Sequence, residues 1–112
     1  MAEIIKQVIK ATTSDLVEKA IKYYNVLSII NDLKLSEREI QLTAYIAVNG
    51  TINYQNFRAG FCDRFNSSNA TVNNMISKLT KLGVLKRVDK KIRVNPVILL
   101  DFKKDIGLVI KL

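Results

Sequence analysis

Residues 68–95 read SNATVNNMISKLTKLGVLKRVDKKIRVN, and this stretch decides the predicted fold. Within it, apolar residues recur at steps of three and four, which is the spacing of one buried face of an amphipathic α-helix. They are Val72, Met75, Ile76, Leu79 and Leu82. Ser68 offers an N-cap and Gly83 a C-terminal stop. The stretch therefore begins with a helix predicted over residues 68–82.

A basic β-hairpin is predicted to follow this helix. Residues 84–88 and 92–95 have the β-branched and apolar composition of strands, and Asp89-Lys90-Lys91 forms a short polar turn between them. Pro96 cannot donate a hydrogen bond to a β-ladder, so the second strand should end there. The cations of the hairpin are Lys86, Arg87, Lys90, Lys91 and Arg93.

The helix face opposite the apolar stripe carries no large apolar side chain and no acid. Its residues are Ala70, Asn73, Asn74, Ser77, Lys78 and Lys81, and Asn69 and Thr71 are expected to be exposed in the first turn. Amides, hydroxyls and cations are the groups that meet base edges and phosphates in the major groove of DNA. The alternative interpretation is an ordinary solvated face of an outer helix.

Positive charge is concentrated in the same part of the chain. The formal net charge is +8, and residues 57–93 hold nine cations and two acids, whereas residues 1–56 hold six of each. A localised basic field indicates a polyanionic partner better than a diffuse one does. A basic surface that serves solubility is the alternative.

Three further helices are predicted upstream. Asp15 opens the first, which continues at helical spacing to about Leu33, and Ser36 with Glu39 forms the S-x-x-E capping box of the second. Asn53 is a candidate N-cap for the third. Other N-cap candidates for the first helix are Thr12, Thr13 and Ser14, and the apolar stripe of the third consists of Tyr54, Phe57, Phe61 and Phe65.

The two ends of the chain have strand-like composition. Residues 3–10 fit either a strand or a helical turn, while residues 107–112 are predicted as a last strand that would pair with residues 3–10 if the termini meet. The apolar run 97–102 must cover a core or a partner. The length of 112 residues and the hydrophobic content of 48% predict one domain, 1–112.

Composition argues against several classes of protein. The chain lacks an 18-residue apolar run and a secretory signal pattern, and it has one cysteine, Cys62, so a cytoplasmic location is expected, or the host cytoplasm if a phage encodes it. Cys62 is interpreted as a packing residue. With no histidine, no glycine-rich phosphate loop and no metal-ligand cluster, we expect a protein that is not an enzyme and needs no metal or cofactor.

The pattern S-x-x-T-V-x-x-x-I-x-x-L-x-x-L-G-x-L-x-R, from Ser68 to Arg87, closely resembles the recognition helix and first wing strand of MarR-like regulators. It also resembles the winged domains of plasmid and phage replication initiators, in which a hairpin often runs into an Asn-Pro pair like Asn95-Pro96. The segment L-S-E-R-E-I at residues 35–40 resembles the helix that precedes this unit in MarR-like proteins. The resemblance covers residues 35–96, which would form the core of the domain, with an N-terminal segment and helix at 1–34 and a C-terminal extension at 97–112. It implies a winged helix-turn-helix, mainly α with a small β-hairpin wing (α+β), and the terminal strands predicted from composition would be additional to it. The long final dimerisation helix of MarR-like proteins is missing from the sequence.

By position, the resemblance implies a division of roles among the site residues. The base-contacting positions are Asn69, Thr71, Asn73, Asn74 and Ser77. Positions at the phosphate backbone or in the wing are Lys78, Lys81, Lys86, Arg87, Lys90, Lys91 and Arg93. We therefore expect a duplex-DNA-binding regulator of transcription or replication, of bacterial, plasmid or phage origin.

The alternative function is a structural or assembly component, for example of a phage particle, in which a winged helix docks protein. The features that motivate it are the apolar run 97–102 and the terminal strands, which exceed what a minimal winged helix needs. They also suggest a homodimer or a higher assembly through residues 97–112 and the N-terminal segment.

Overall fold

The computed structural model describes residues 4–9, 15–53, 55–104 and 106–111, the first and last of these ranges as backbone. In chain order they form β1 (Ile4–Ile9), α1 (Leu16–Ile30), α2 (Glu37–Asn49), α3 (Gln55–Phe65), α4 (Asn69–Lys81), β2 (Leu85–Val88), β3 (Lys91–Val94), a 3₁₀ turn (Pro96–Ile98) and β4 (Ile106–Lys111). The predicted fold class, mainly α with a small β-hairpin, is confirmed. None of the helices in these ranges is long and apolar enough to cross a membrane.

Side chains cap three of the helices as predicted. The Asp15 carboxylate accepts from the backbone N–H groups of the first turn of α1, and Ser36 and Glu39 make both hydrogen bonds of the capping box on α2. Ser68 caps α4 by accepting from the N–H of Thr71. Thr12, Thr13, Ser14 and Tyr54, also named above, lie outside the described residues. These local hydrogen bonds fix where each helix begins.

The predicted apolar face of α4 is buried, with one exception. Val72, Met75 and Leu79 are buried and Ile76 is half-buried, so this face packs into the core. Leu82 is 43% exposed, and its predicted burial is wrong. The helix ends at Lys81, and Leu82 is its C-cap residue, at the end of the apolar stripe.

The aromatic stripe of α3 explains a glycine within that helix. Phe61 and Phe65 are buried, and the Tyr45 ring of α2 packs edge-on against Phe61. A Cβ added to Gly60 would lie 2.6 Å from the hydroxyl of Tyr45. The absence of a side chain at Gly60 therefore lets α2 approach α3 closely at this point.

The C-terminal run 97–102 is divided between core and solvent. Phe102 is buried against the rings of Tyr23 and Tyr24 on α1, and the Tyr24 hydroxyl donates to the carbonyl of Ile98 at 2.9 Å. By contrast, Val97 is 86% exposed. This run therefore covers part of the core and also presents apolar surface to solvent.

Lys19 was not singled out by the sequence, yet it holds this C-terminal segment on α1. Its side chain is completely buried, and its ammonium donates to the carbonyl of Phe102 at 2.9 Å and to the carbonyl of Lys104. A buried cation is costly unless hydrogen bonds compensate the lost water. These two carbonyls supply that compensation and tie the segment to the helix.

The hairpin turn is shorter than predicted. Val88 lies opposite Lys91, so the loop consists of Asp89 and Lys90, whose φ angles are +50° and +66°. Two positive φ angles in a two-residue loop define a type I′ turn, whose twist matches the flanking strands. The predicted three-residue turn is wrong, and Lys91 belongs to β3.

The first and last strands pair with each other. β1 and β4 are antiparallel, with Ile4 opposite Lys111 and Ile9 opposite Ile106. The open choice for residues 3–10 is thus resolved in favour of a strand over Ile4–Ile9, and the predicted pairing of the termini is confirmed. We call this pair the terminal ribbon.

Candidate nucleic-acid interface

The outer face of α4 is open to solvent. Its buried side is held in the core by Val72, Met75 and Leu79, so the opposite side points away from the protein. Every residue predicted to contact DNA from this helix is exposed, namely Asn69, Thr71, Asn73, Asn74, Ser77, Lys78 and Lys81. The helix contains no acidic residue. The face can therefore approach a polyanion without a repelling charge of its own.

The first turn of α4 is preorganised by its N-cap. The hydroxyl of Ser68 accepts from the N–H of Thr71 at 3.2 Å and also donates to the hydroxyl oxygen of Thr71 at 3.0 Å. This pair of bonds restricts the Thr71 side chain before any ligand binds. A restricted side chain loses less entropy on binding.

Arg58 of α3 joins the outer face of α4, which the sequence did not indicate beyond its contribution to the charge. Its guanidinium donates to the side-chain oxygen of Asn73 at 2.6 Å. Asn74 forms no side-chain hydrogen bond within the described residues. The two neighbouring asparagines have the same predicted role but differ in hydrogen bonding: Asn73 accepts from Arg58, and Asn74 has no such partner.

Lys78 makes a contact within the protein in addition to facing solvent. Its ammonium lies 2.9 Å from the carboxylate of Glu39 on α2, and the Lys78 side chain is 53% exposed while that of Glu39 is 6% exposed. Burial raises the pKa of the Glu39 carboxyl, but hydrogen bonds from Ser36 and Lys78 outweigh burial and hold this pKa below its ordinary value. Lys78 thus fixes α4 against α2, a role additional to the predicted phosphate contact.

Four cations of the hairpin are exposed and form no ion pair with an acid in the described part of the chain. Lys86, Arg87, Lys90 and Arg93 are exposed, and the ion pairs found among the described residues involve none of them. Lys86 lies directly opposite Arg93. Like charges in this arrangement repel and destabilise a hairpin. An anionic ligand would relieve that repulsion.

Two asparagines hold the hairpin in place. Asn53, predicted to cap α3, lies two residues before that helix begins, and its amide bonds to the hairpin instead, so the predicted cap is wrong. It accepts from the N–H of Ile92 at 2.6 Å and donates to the carbonyl of Lys90 at 3.2 Å. Asn95 donates to the carbonyl of Gly83 at 2.9 Å, directly after α4. The hairpin is therefore fixed at its turn to the segment between α2 and α3, and at its base to the end of α4. The contacts of Asn53 with the hairpin had no recognisable signal in the sequence.

Arg64 lies within the basic stretch but does not belong to the candidate interface. Its guanidinium pairs with Asp15 and, at 3.4 Å, with Glu18, and it lies over the ring of Phe65. Burial raises the pKa of Asp15, and the opposing hydrogen bonds and charge, chiefly from Arg64, leave this pKa below its ordinary value. Counting charges along the sequence therefore overstated the basic field available to a ligand.

The described ranges were also searched for a metal site. They contain no group of three or more Cys, Asp or Glu side chains placed to hold a metal ion. Cys62 is half-buried.

A scan against protein-family models and searches of curated proteins and of solved structures returned no match to this chain. The function is therefore inferred from the residues of the site, because a fold alone would not specify it.

Proposed function

We propose that the protein binds duplex DNA through a winged helix-turn-helix unit at residues 35–96. In this proposal α4 enters the major groove, and the hairpin is the wing, which follows the backbone or enters the minor groove. The protein would act without a cofactor, and not as an enzyme, in the cytoplasm or a host cytoplasm. Its role would be regulation of transcription or replication in a bacterium, plasmid or phage.

One observation carries the proposal. An open helix face of amides and hydroxyls lies beside a hairpin in which Lys86 lies opposite Arg93, and neither pairs with an acid among the residues that the structure describes. Hairpin cations would release counterions from the phosphates and supply affinity that falls with salt. The amides would supply sequence preference by hydrogen bonding to base edges.

Salt dependence tests the proposal directly. Binding of labelled duplex DNA, followed by fluorescence anisotropy, should weaken by orders of magnitude between roughly 50 and 200 mM salt. Absence of binding at low salt, or an affinity that salt leaves unchanged, would contradict DNA binding through the hairpin.

Two substitutions separate the proposed roles. Lys86→Ala should weaken every duplex alike and reduce the slope of log affinity against log salt by about one. Asn74→Ala should instead reduce the discrimination between the preferred duplex and a mismatched one. Lys22→Ala, which removes an exposed cation from α1, is the matched control and should change neither quantity. Uniform loss of affinity in both hairpin and helix variants would mean that Asn74 does not read bases.

A second candidate is a structural or assembly component. The observation that favours it is exposed apolar surface, since Val97 is 86% and Leu99 42% exposed and Leu99 lines a mainly apolar cleft of about 230 Å³ with Val88 and Val94. Each strand of the terminal ribbon also has an outer edge that the other strand does not cover, and such edges can pair with a neighbouring chain. A homodimer or higher assembly through residues 97–112 and the N-terminal segment would follow.

Measurement of mass in solution distinguishes the two candidates. Light scattering without DNA should give a discrete monomer or dimer for the regulator. A large assembly formed in the absence of DNA would favour the structural role.

A further inference from the structure

The contact between Arg58 and Asn73 determines which atoms of Asn73 face outward. A guanidinium carries five N–H donors and no acceptor. The Asn73 amide must therefore turn its oxygen towards Arg58, to which it is bonded at 2.6 Å, and its NH₂ group away. Donors from both residues then lie together at the exposed surface of α4.

Bases differ in how they meet a surface made of donors. Guanine presents two acceptors in the major groove, N7 and O6, whereas adenine presents the N7 acceptor beside the N6 amino donor. An asparagine that pairs with adenine must offer its oxygen to that amino group. On Asn73, Arg58 already occupies one of the two lone pairs of that oxygen, and its guanidinium places further N–H donors beside it, which disfavours the amino donor of adenine.

We propose that Arg58 is a specificity-determining residue, which orients Asn73 so that the two together select guanine over adenine at one position of the bound DNA. This inference rests on the proposed function and names the base that the site prefers. Asn74, whose amide has no partner within the described residues, keeps both its donor and its acceptor and remains suited to adenine. Arg58 thus changes the expected preference of Asn73 from adenine to guanine.

Selection from a pool of randomised duplexes tests the proposal. Wild-type protein should select a guanine at one position, and replacing it with a deazaguanine that lacks the N7 acceptor should weaken binding about tenfold. Arg58→Ala should remove this preference or move it to adenine at the same position. The matched control is Asn74→Ala, which should alter the preference at a different position and leave the guanine unchanged.

Asn73→Asp provides a second variant that keeps the contact with Arg58. A carboxylate still accepts from the guanidinium, but it has no NH₂ group to donate to the base. The variant should therefore lose the guanine preference even though α3 and α4 remain joined, and circular dichroism would verify that both variants fold. Retained guanine selection in either folded variant would overturn the inference, as would a wild-type protein that selects no guanine.

The outcomes also separate this inference from the proposed function. If the wild-type protein binds no duplex at low salt, DNA binding itself is wrong. If it binds with the expected salt dependence but Arg58→Ala leaves its selected sequence unchanged, only the role assigned to Arg58 is wrong.

Discussion

Two sides of the molecule treat polar and charged groups in opposite ways. On the side formed by α1 and the C-terminal segment, Lys19 is buried and bonded to two carbonyls, and Tyr24 is buried and bonded to Ile98. On the hairpin, Lys86 lies opposite Arg93, and both side chains are exposed to solvent.

The difference indicates which side is built for stability. Each buried polar group named on the α1 side has a partner, so the cost of burial is compensated there. The hairpin keeps a local cost of about 0.2–1 kcal/mol for opposed like charges. An anionic ligand that lies between the two cations would remove this cost. This supports the hairpin as a binding surface.

The largest effect is expected on the α1 side. Lys19→Ala leaves a cavity and deprives the carbonyls of Phe102 and Lys104 of their donor, so the free energy of unfolding should fall by about 2–4 kcal/mol. Urea denaturation would measure it, with Lys22→Ala, on the exposed side of the same helix, as the control. Equal effects of the two substitutions would show that burial of Lys19 does not stabilise the fold.

An intermediate effect is expected where α4 meets α2. Lys78→Met should lower the free energy of unfolding by about 1 kcal/mol at neutral pH, a modest value because Lys78 is half-exposed and screened. Since the folded pKa of Glu39 lies below its ordinary value of 4.5, the unfolded chain takes up this proton first as pH falls. The contribution of the Lys78–Glu39 contact to the free energy of unfolding is therefore present above pH 4.5 and is lost as the pH falls below it.

Chemical denaturation of wild type and Lys78→Met across this pH range provides the measurement. The two proteins should differ most near neutral pH and converge as the pH falls below 4.5. A difference that is independent of pH would mean that the contact with Glu39 contributes through packing and not through charge.

The smallest effect is expected at the tip of the hairpin. Lys90→Gly relieves the φ angle of +66° and should raise the free energy of unfolding by about 0.5–1 kcal/mol while weakening DNA binding slightly. Lys90→Ala removes the same charge but retains the strained backbone. It should weaken binding equally without the gain in stability, as denaturation and anisotropy on the same samples would show.

Features that depend on neighbours in the sequence were predictable. The caps at Ser36 and Ser68 and the buried face of α4 follow from residues three or four positions apart, and those predictions hold except at Leu82. The two strands of the hairpin could also be predicted from their composition. Its turn length was not, because strand propensity does not determine which residue begins the register.

Side-chain contacts between separate helices could not be predicted. The pairs Arg58–Asn73 and Glu39–Lys78 join different helices. Their partners become neighbours after the helices pack, and no spacing in the sequence encodes that geometry. The ion pair between Arg64 and Asp15 also joins residues that are distant in the sequence, so the charge count could not show that Arg64 is neutralised.

The terminal ribbon has a consequence for the order in which the protein folds. Ile4 pairs with Lys111, so formation of the ribbon closes a loop of more than 100 residues. Closing a long loop loses chain entropy before the favourable contacts between the strands form. The local contacts of the helices should therefore form first. During synthesis β1 leaves the ribosome before every other element described here, while its partner β4 leaves last. The mainly apolar β1 therefore remains unpaired until β4 has been synthesised. During this interval a chaperone could bind it.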